Sequence, residues 1–177
     1  MARRRWALLS ILWLTAACGT NESSDTQAGS SSAPAGSALE QAALDAGVVA
    51  DVEALSPVGL YRKRHEAGRD SLCIVNGKDG TLDFALEAVF GENMECHGRG
   101  TLRVSGDKLI MNFARSACLV VASYEGDRVA LPGALDVECN ALCTRRGSLE
   151  GVSFPRVSRE ENVARSARMN KGGVLCP

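Results

Sequence analysis

The sequence predicts a mainly β fold: a small antiparallel β-barrel or sandwich, stapled by disulfides, with a C-terminal helix. Three observations predict it. Short runs of strictly alternating apolar and polar residues follow one another through the chain after residue 57, separated by tight glycine-containing turns. Six cysteines, Cys73, Cys96, Cys118, Cys139, Cys143 and Cys176, are spread over the same region. Near the end, Ser158-Arg159-Glu160-Glu161 has the spacing of a helix-starting capping box.

Ser37-Ala38-Leu39-Glu40 is a first capping box and predicts a short helix to Ala46, stopped at Gly47. Short strands are expected at Gly59 to His65 and Ser71 to Asn76. The clearest strand follows, with Leu82, Phe84, Leu86, Ala88 and Phe90 on one face. Cys96, Gly98, Gly100, Leu102 and Val104 form the inner face of the next, leaving His97, Arg99, Thr101 and Arg103 outside. Ser105-Gly106-Asp107 turns the chain, and Leu109, Met111 and Phe113 return. A further hairpin runs through Cys118, Val120, Ala122 and Tyr124, turns at Glu125-Gly126-Asp127, and comes back at Val129 and Leu131. An edge strand is expected at Ser148 to Phe154. Consecutive strands with tight turns favour an antiparallel meander, and inward glycines at 98 and 100 suit the sharp coiling of a barrel, the first choice over a sandwich. The final helix is expected over 159–171. Its acidic start and its Arg165, Arg168 and Lys171 end match the helix dipole, Gly172-Gly173 stops it, and Val163, Ala164 and Ala167 supply its apolar stripe.

Upstream of the β region the chain changes character twice. Residues 1–17 have a basic start at Arg3, Arg4 and Arg5, then an apolar run too short to span a bilayer, then small residues. Residues 18–56 contain six acidic residues, no basic residue and no aromatic one. Such a segment buries too little apolar surface to offset its ordering entropy and reads as a flexible Ser/Ala/Gly tether. The region 57–177 carries 17 basic and 15 acidic residues, scattered and without an aromatic stripe, which is no nucleic-acid footprint.

At Leu14-Thr15-Ala16-Ala17-Cys18 the sequence resembles the lipobox of bacterial lipoproteins. The resemblance implies that a signal peptide, residues 1–17, is removed and that Cys18 is acylated, for instance with palmitate. The protein would then be anchored to a membrane by lipid. Each buried methylene is worth about 0.8 kcal/mol, so two or three chains hold firmly. Gly19 stands where the family's inner-membrane members usually carry aspartate, which implies an outer-membrane location facing the periplasm. Giving Cys18 to lipid leaves six cysteines, an even number that reads as three disulfides in an exported domain. Fifteen pairings are open, and spacing selects none.

The chemistry-bearing signals are fewer. Cys139-Asn140-Ala141-Leu142-Cys143 puts two thiols on one face if helical. Soft thiolates suit copper(I), and the pair resembles that of periplasmic copper-delivery proteins. The alternative function is thus a thiol redox or copper-binding protein using Cys139 and Cys143, although two bridges to different strands account for the same residues. His97 lies opposite in face to its neighbour Cys96, so the two make no nucleophile and base. His65 sits in a charged strand end. Glu92, Glu95, Asp107, Asp127, Asp136 and Glu138 cluster near turns, where acids ordinarily cap or solubilise. No nucleophile elbow, phosphate loop or zinc-binding histidine motif occurs, so an enzyme, a cofactor and a metal are not expected.

Two basic segments are candidates for binding. Tyr61 to His65 brings Arg62 and Arg64 toward one end of the barrel, where they could face anionic lipid or an acidic partner. Cys143 to Arg156 offers Arg145 and Arg146 on a loop held by a disulfide, suited to carboxylate or phosphate. The arrangement of lipobox, tether and small stapled β domain resembles envelope lipoproteins and, in general plan, the membrane-bound inhibitors of C-type lysozyme. That likeness implies a non-catalytic envelope lipoprotein whose barrel binds a protein or small-molecule ligand or serves structurally. A lysozyme inhibitor is the sharpest form of the reading.

Overall fold

The computed structural model describes residues 35–46 and 55–176. The expected signal peptide, Cys18, Gly47 and most of the expected tether lie outside them. Eight strands follow one another: β1 (Gly59–His65), β2 (Gly68–Asn76), β3 (Leu82–Gly91), β4 (Met94–Ser105), β5 (Lys108–Phe113), β6 (Leu119–Tyr124), β7 (Arg128–Ala130) and β8 (Ser153–Ser158). Each pairs antiparallel with the next, and β8 pairs back onto β1, closing an up-and-down barrel. The predicted mainly β fold is therefore present in its barrel form. Closure removes the edges that a sandwich would leave.

Alternation sorts the side chains. Phe84, Leu86 and Ala88 of β3, Leu109, Met111 and Phe113 of β5, and Val120, Ala122 and Tyr124 of β6 are buried in the barrel interior. The Phe84 and Phe113 rings meet edge to face with centroids 5.0 Å apart. A Cβ at Gly98 would overlap the Phe113 ring, and one at Gly100 the Asn112 carbonyl, so β4 coils tightly where it lacks side chains. Phe90 and Val104, expected inside, are exposed instead, because both lie near strand ends where the interior opens to solvent.

A second apolar layer lies outside the barrel. Leu60, Cys73, Val75 and Ala85 point outward from β1, β2 and β3 and are covered by Ala164, Ala167, Leu175 and Cys176 of the C-terminal tail. The expected helix over 159–171 is corrected here to α2 (Glu161–Arg165), preceded by Glu160 as N-cap without a side-chain cap. Ser158 ends β8, and its hydroxyl accepts from the Glu160 N–H as a turn rather than a capping box. A helix over the whole predicted span would run straight for about 20 Å. The tail instead reverses: Met169 N–H donates to Gly173 O and Leu175 N–H to Ala167 O, with Gly172 and Gly173 at positive φ. Reversal returns Cys176 to Cys73. Val163, expected in the apolar stripe, is exposed.

Two further elements begin at residues other than those expected. The strand expected at Ser148–Phe154 is β8, Ser153–Ser158, since the chain first turns to bury Leu149. It is paired on both sides, with β7 and β1, and is not an edge. The upstream helix is α1 (Ala35–Asp45), which starts before the Ser37 capping box.

Candidate functional site

All six cysteines of the β domain are bridged: Cys73–Cys176, Cys96–Cys143 and Cys118–Cys139. A 3-10 turn over Val137–Leu142 carries Cys139, and Cys143 follows it. Each sulfur of this pair joins a different partner, one in β4 and one just before β6. The dithiol that a copper or redox role would use is thereby divided between two bridges. Asp136 caps the turn by accepting from the Glu138 N–H, as an acid at a turn is expected to do.

Strand alternation splits the basic segment of β1. Lys63 and His65 lie toward one mouth of the barrel, where they line a cavity of about 360 Å³ with Asp70, Phe90 and Glu150. His65 Nε2 is 3.1 Å from Asp70 Oδ1, and Asp70 also accepts from the Val89 N–H. The charges at this mouth are of both signs. Arg62 and Arg64 point to the outer face instead, where register sets them opposite Ser71 and Arg69. Burial, and then the neighbouring Arg69 and Arg64 charges, lower the proton affinity of the Arg62 guanidinium. Arg145 and Arg146 are exposed after Cys143, with Arg145 in the left-handed region at φ 56°. None of these four arginines lines this cavity or the one between β3, β4 and the C-terminal tail.

The outer face between β3, β4 and the returning tail forms a different cavity, of about 320 Å³. Leu142, Met169 and Leu175 give it apolar walls, and His97, Arg99 and Arg115 line it with cationic or ionisable groups. His97 Nε2 is 3.5 Å from Glu95 Oε1, which also accepts from Lys171 Nζ at 2.7 Å. The hydrogen bond from Lys171 is the main reason the Glu95 carboxyl is held below its ordinary value. Arg99 and Arg115 are exposed and form no hydrogen bond or ion pair through their side chains with the described residues.

Beside this groove, ligand atoms of Glu87, Glu95 and His97 lie within 4.8 Å of one another, a spacing at which a metal could be held. The site already has a cation in Lys171, and the Glu87 carboxylate accepts from the Asn170 N–H and Nδ2 at 2.8 to 3.2 Å. Glu87 is fully buried and belongs to the contact between barrel and tail.

At the opposite end of β1, Arg156 places its guanidinium 5.1 Å from the Tyr61 ring centroid and 5.5 Å from that of Tyr124. It donates to both phenol oxygens and to Ser56 O, while Tyr61 donates to Pro57 O and Tyr124 to Ser56 O. Burial pushes the Tyr61 phenol well above its ordinary value, against the lowering effect of Arg156, so it remains a donor. This clamp fixes the point where the upstream segment joins the barrel.

Sequence reasoning missed Arg99, Arg115, Arg156 and the contact between Glu87 and Asn170. Alternation does place Arg99 outside β4, but no local signal marks the tail that turns this face into a groove. Among the described residues, no helix is long and apolar enough to cross a membrane. No protein-family model matches the chain, and no curated protein or solved structure matches it either.

Proposed function

We propose that the protein is a lipid-anchored lipoprotein of the cell envelope, cut before Cys18 and acylated there, whose barrel is a non-catalytic binding module facing the periplasm. The observation that carries the reading is the cysteine pairing. The six cysteines after Cys18 satisfy one another in three bridges, as an oxidising compartment permits, and the cysteine they leave over closes a lipobox-like run. The Tyr61, Tyr124 and Arg156 clamp supports the division of labour, because it ends the tether on a rigid barrel.

Labelling of producing cells with an alkyne analogue of palmitate tests the reading, with the mass of the detergent-extracted protein as second readout. Labelled protein beginning at Cys18 is expected, with label lost in Cys18→Ser. Unlabelled protein, or cleavage elsewhere, would overturn the anchor.

A sharper form of the reading is inhibition of a lysozyme. It is favoured by a small closed antiparallel barrel bearing a bridge-held loop that exposes Arg145 and Arg146. Slowed hydrolysis of bacterial cell wall by C-type lysozyme is the expected result, weakened by replacing both arginines with alanine. Undiminished hydrolysis at excess protein would remove this form.

A further inference from the structure

We infer that the groove between β3, β4 and the C-terminal tail binds a small anionic amphiphile, one carboxylate or phosphate head on a short apolar chain. The inference deepens the binding role proposed above and rests on it. The groove's volume, about 320 Å³, is at the small end of ligand pockets, which run from about 300 to 1,000 Å³. That favours a single chain over a diacyl lipid.

Charge accounting selects this cavity. At the barrel mouth Lys63 and His65 face Asp70 and Glu150, so the lining nearly neutralises itself. Among the described residues the groove's lining carries Arg99 and Arg115 and no carboxylate. Two acids lie beside it with His97, and both are engaged: Glu95 by Lys171 and His97, and the buried Glu87 by the Asn170 N–H and Nδ2. Two guanidinium forks without partners among the described residues suit an anionic head, since each can donate two parallel hydrogen bonds to carboxylate or phosphate oxygens. The walls provide the other half of the match. Leu175 is buried, Leu142 and Met169 are half-buried, and Met169 is a side chain that adapts to irregular apolar shapes. The two ends of the ligand thus meet different chemistry: arginines from β4 and the loop after β5, and an apolar floor from the tail and the 3-10 turn.

Both sources of apolar floor are fixed by disulfides. Cys176 follows Leu175 and is bridged to β2, and Cys143 follows Leu142 and is bridged to β4. The groove is therefore preformed, which limits the ordering cost of binding.

The test uses the full chain carrying Cys18→Ser, so that no acyl chain of the protein competes, titrated calorimetrically with decanoate and with decyl phosphate below their micelle concentrations. Saturable binding near one per chain is expected. Arg99→Ala and Arg115→Ala should each weaken it at least about tenfold, and decyltrimethylammonium should not bind. Met169→Asp, which puts a negative charge on the apolar wall, should abolish binding while far-ultraviolet circular dichroism stays unchanged.

No saturable binding, equal binding of the cationic amphiphile, or binding indifferent to both arginines would overturn the inference. So would flotation with phosphatidylglycerol vesicles that the arginine variants abolish, in the absence of decanoate or decyl phosphate binding; the arginines would then serve a bilayer surface. Palmitate labelling of the unaltered chain is read separately, so failure of the anchor and failure of the groove are distinguishable.

Discussion

The outer faces of β1–β3 and of β5–β6 are built by the same alternation of side chains and end in opposite environments. On β1–β3 the outward residues Leu60, Cys73, Val75 and Ala85 are buried beneath the tail, together with Ser71 and Glu87. On β6 the outward residues Leu119 and Val121 remain 53% and 48% exposed. An outward position is thus not an exposed one. What covers it decides, and here the cover is a short tail held by one long-range disulfide and a few hydrogen bonds to buried polar groups.

The largest expected effect breaks that cover outright. Replacing Cys73 and Cys176 with alanine opens a link of sequence separation 103 and should cost about 3 to 5 kcal/mol in chemical denaturation, by the loop-entropy scale for a link of this length. Amide exchange should accelerate in the tail and in β2 before it does in β5 and β6. A loss below about 1 kcal/mol would mean that the tail holds itself down and that the two faces differ for another reason.

Asn170→Ala tests the polar half of the cover. It removes the Nδ2 donor to the Glu87 carboxylate and to Arg69 O and should cost about 1.5 to 3 kcal/mol, the range for hydrogen bonds to charged groups. Thermal or chemical denaturation at neutral pH checks it.

A smaller effect depends on pH. The folded Glu95 carboxyl is held below its ordinary value of about 4.5, first by the hydrogen bond from Lys171. A depressed carboxyl contributes stability that is present above the unfolded value and is lost as pH falls through the folded one. The stability difference between the natural chain and Lys171→Ala should therefore be present at pH 7 and shrink on acidification below about 4.5. A difference constant with pH would assign Lys171 a packing role only.

The smallest effect is expected on the bare face. Leu119→Thr and Val121→Thr should change stability by no more than about 0.5 kcal/mol, since neither position is covered. A loss above about 1 kcal/mol would show that this face is also covered in solution, by another copy or a partner.

Much of the barrel was legible because its signals are local. Period-two runs place Phe84, Leu86, Met111 and Val120 inside from their neighbours alone, and glycine turns at residues 106 and 126 separate the strands. The last helix was misjudged for a related reason. Its caps and charges are real local preferences, but bringing Cys176 back to Cys73 and Asn170 to Glu87 outweighs a few tenths of a kcal/mol per residue of helix propensity. The groove was not legible at all. Arg99 and Arg115 belong to different elements, and their shared cavity exists only because Met169 and Leu175 fold across β3 and β4.

By itself the sequence determined that the chain carries a mainly β domain with a period-two core and an even set of six cysteines after Cys18. Periodicity and parity need no knowledge of which strand meets which. The tertiary structure alone decided which cysteines pair, that the tail reverses onto β1–β3, and that one outer face is covered while another stays open. Those outcomes depend on contacts between residues far apart in the chain, whose energies compete with one another and leave no mark on any single stretch of it.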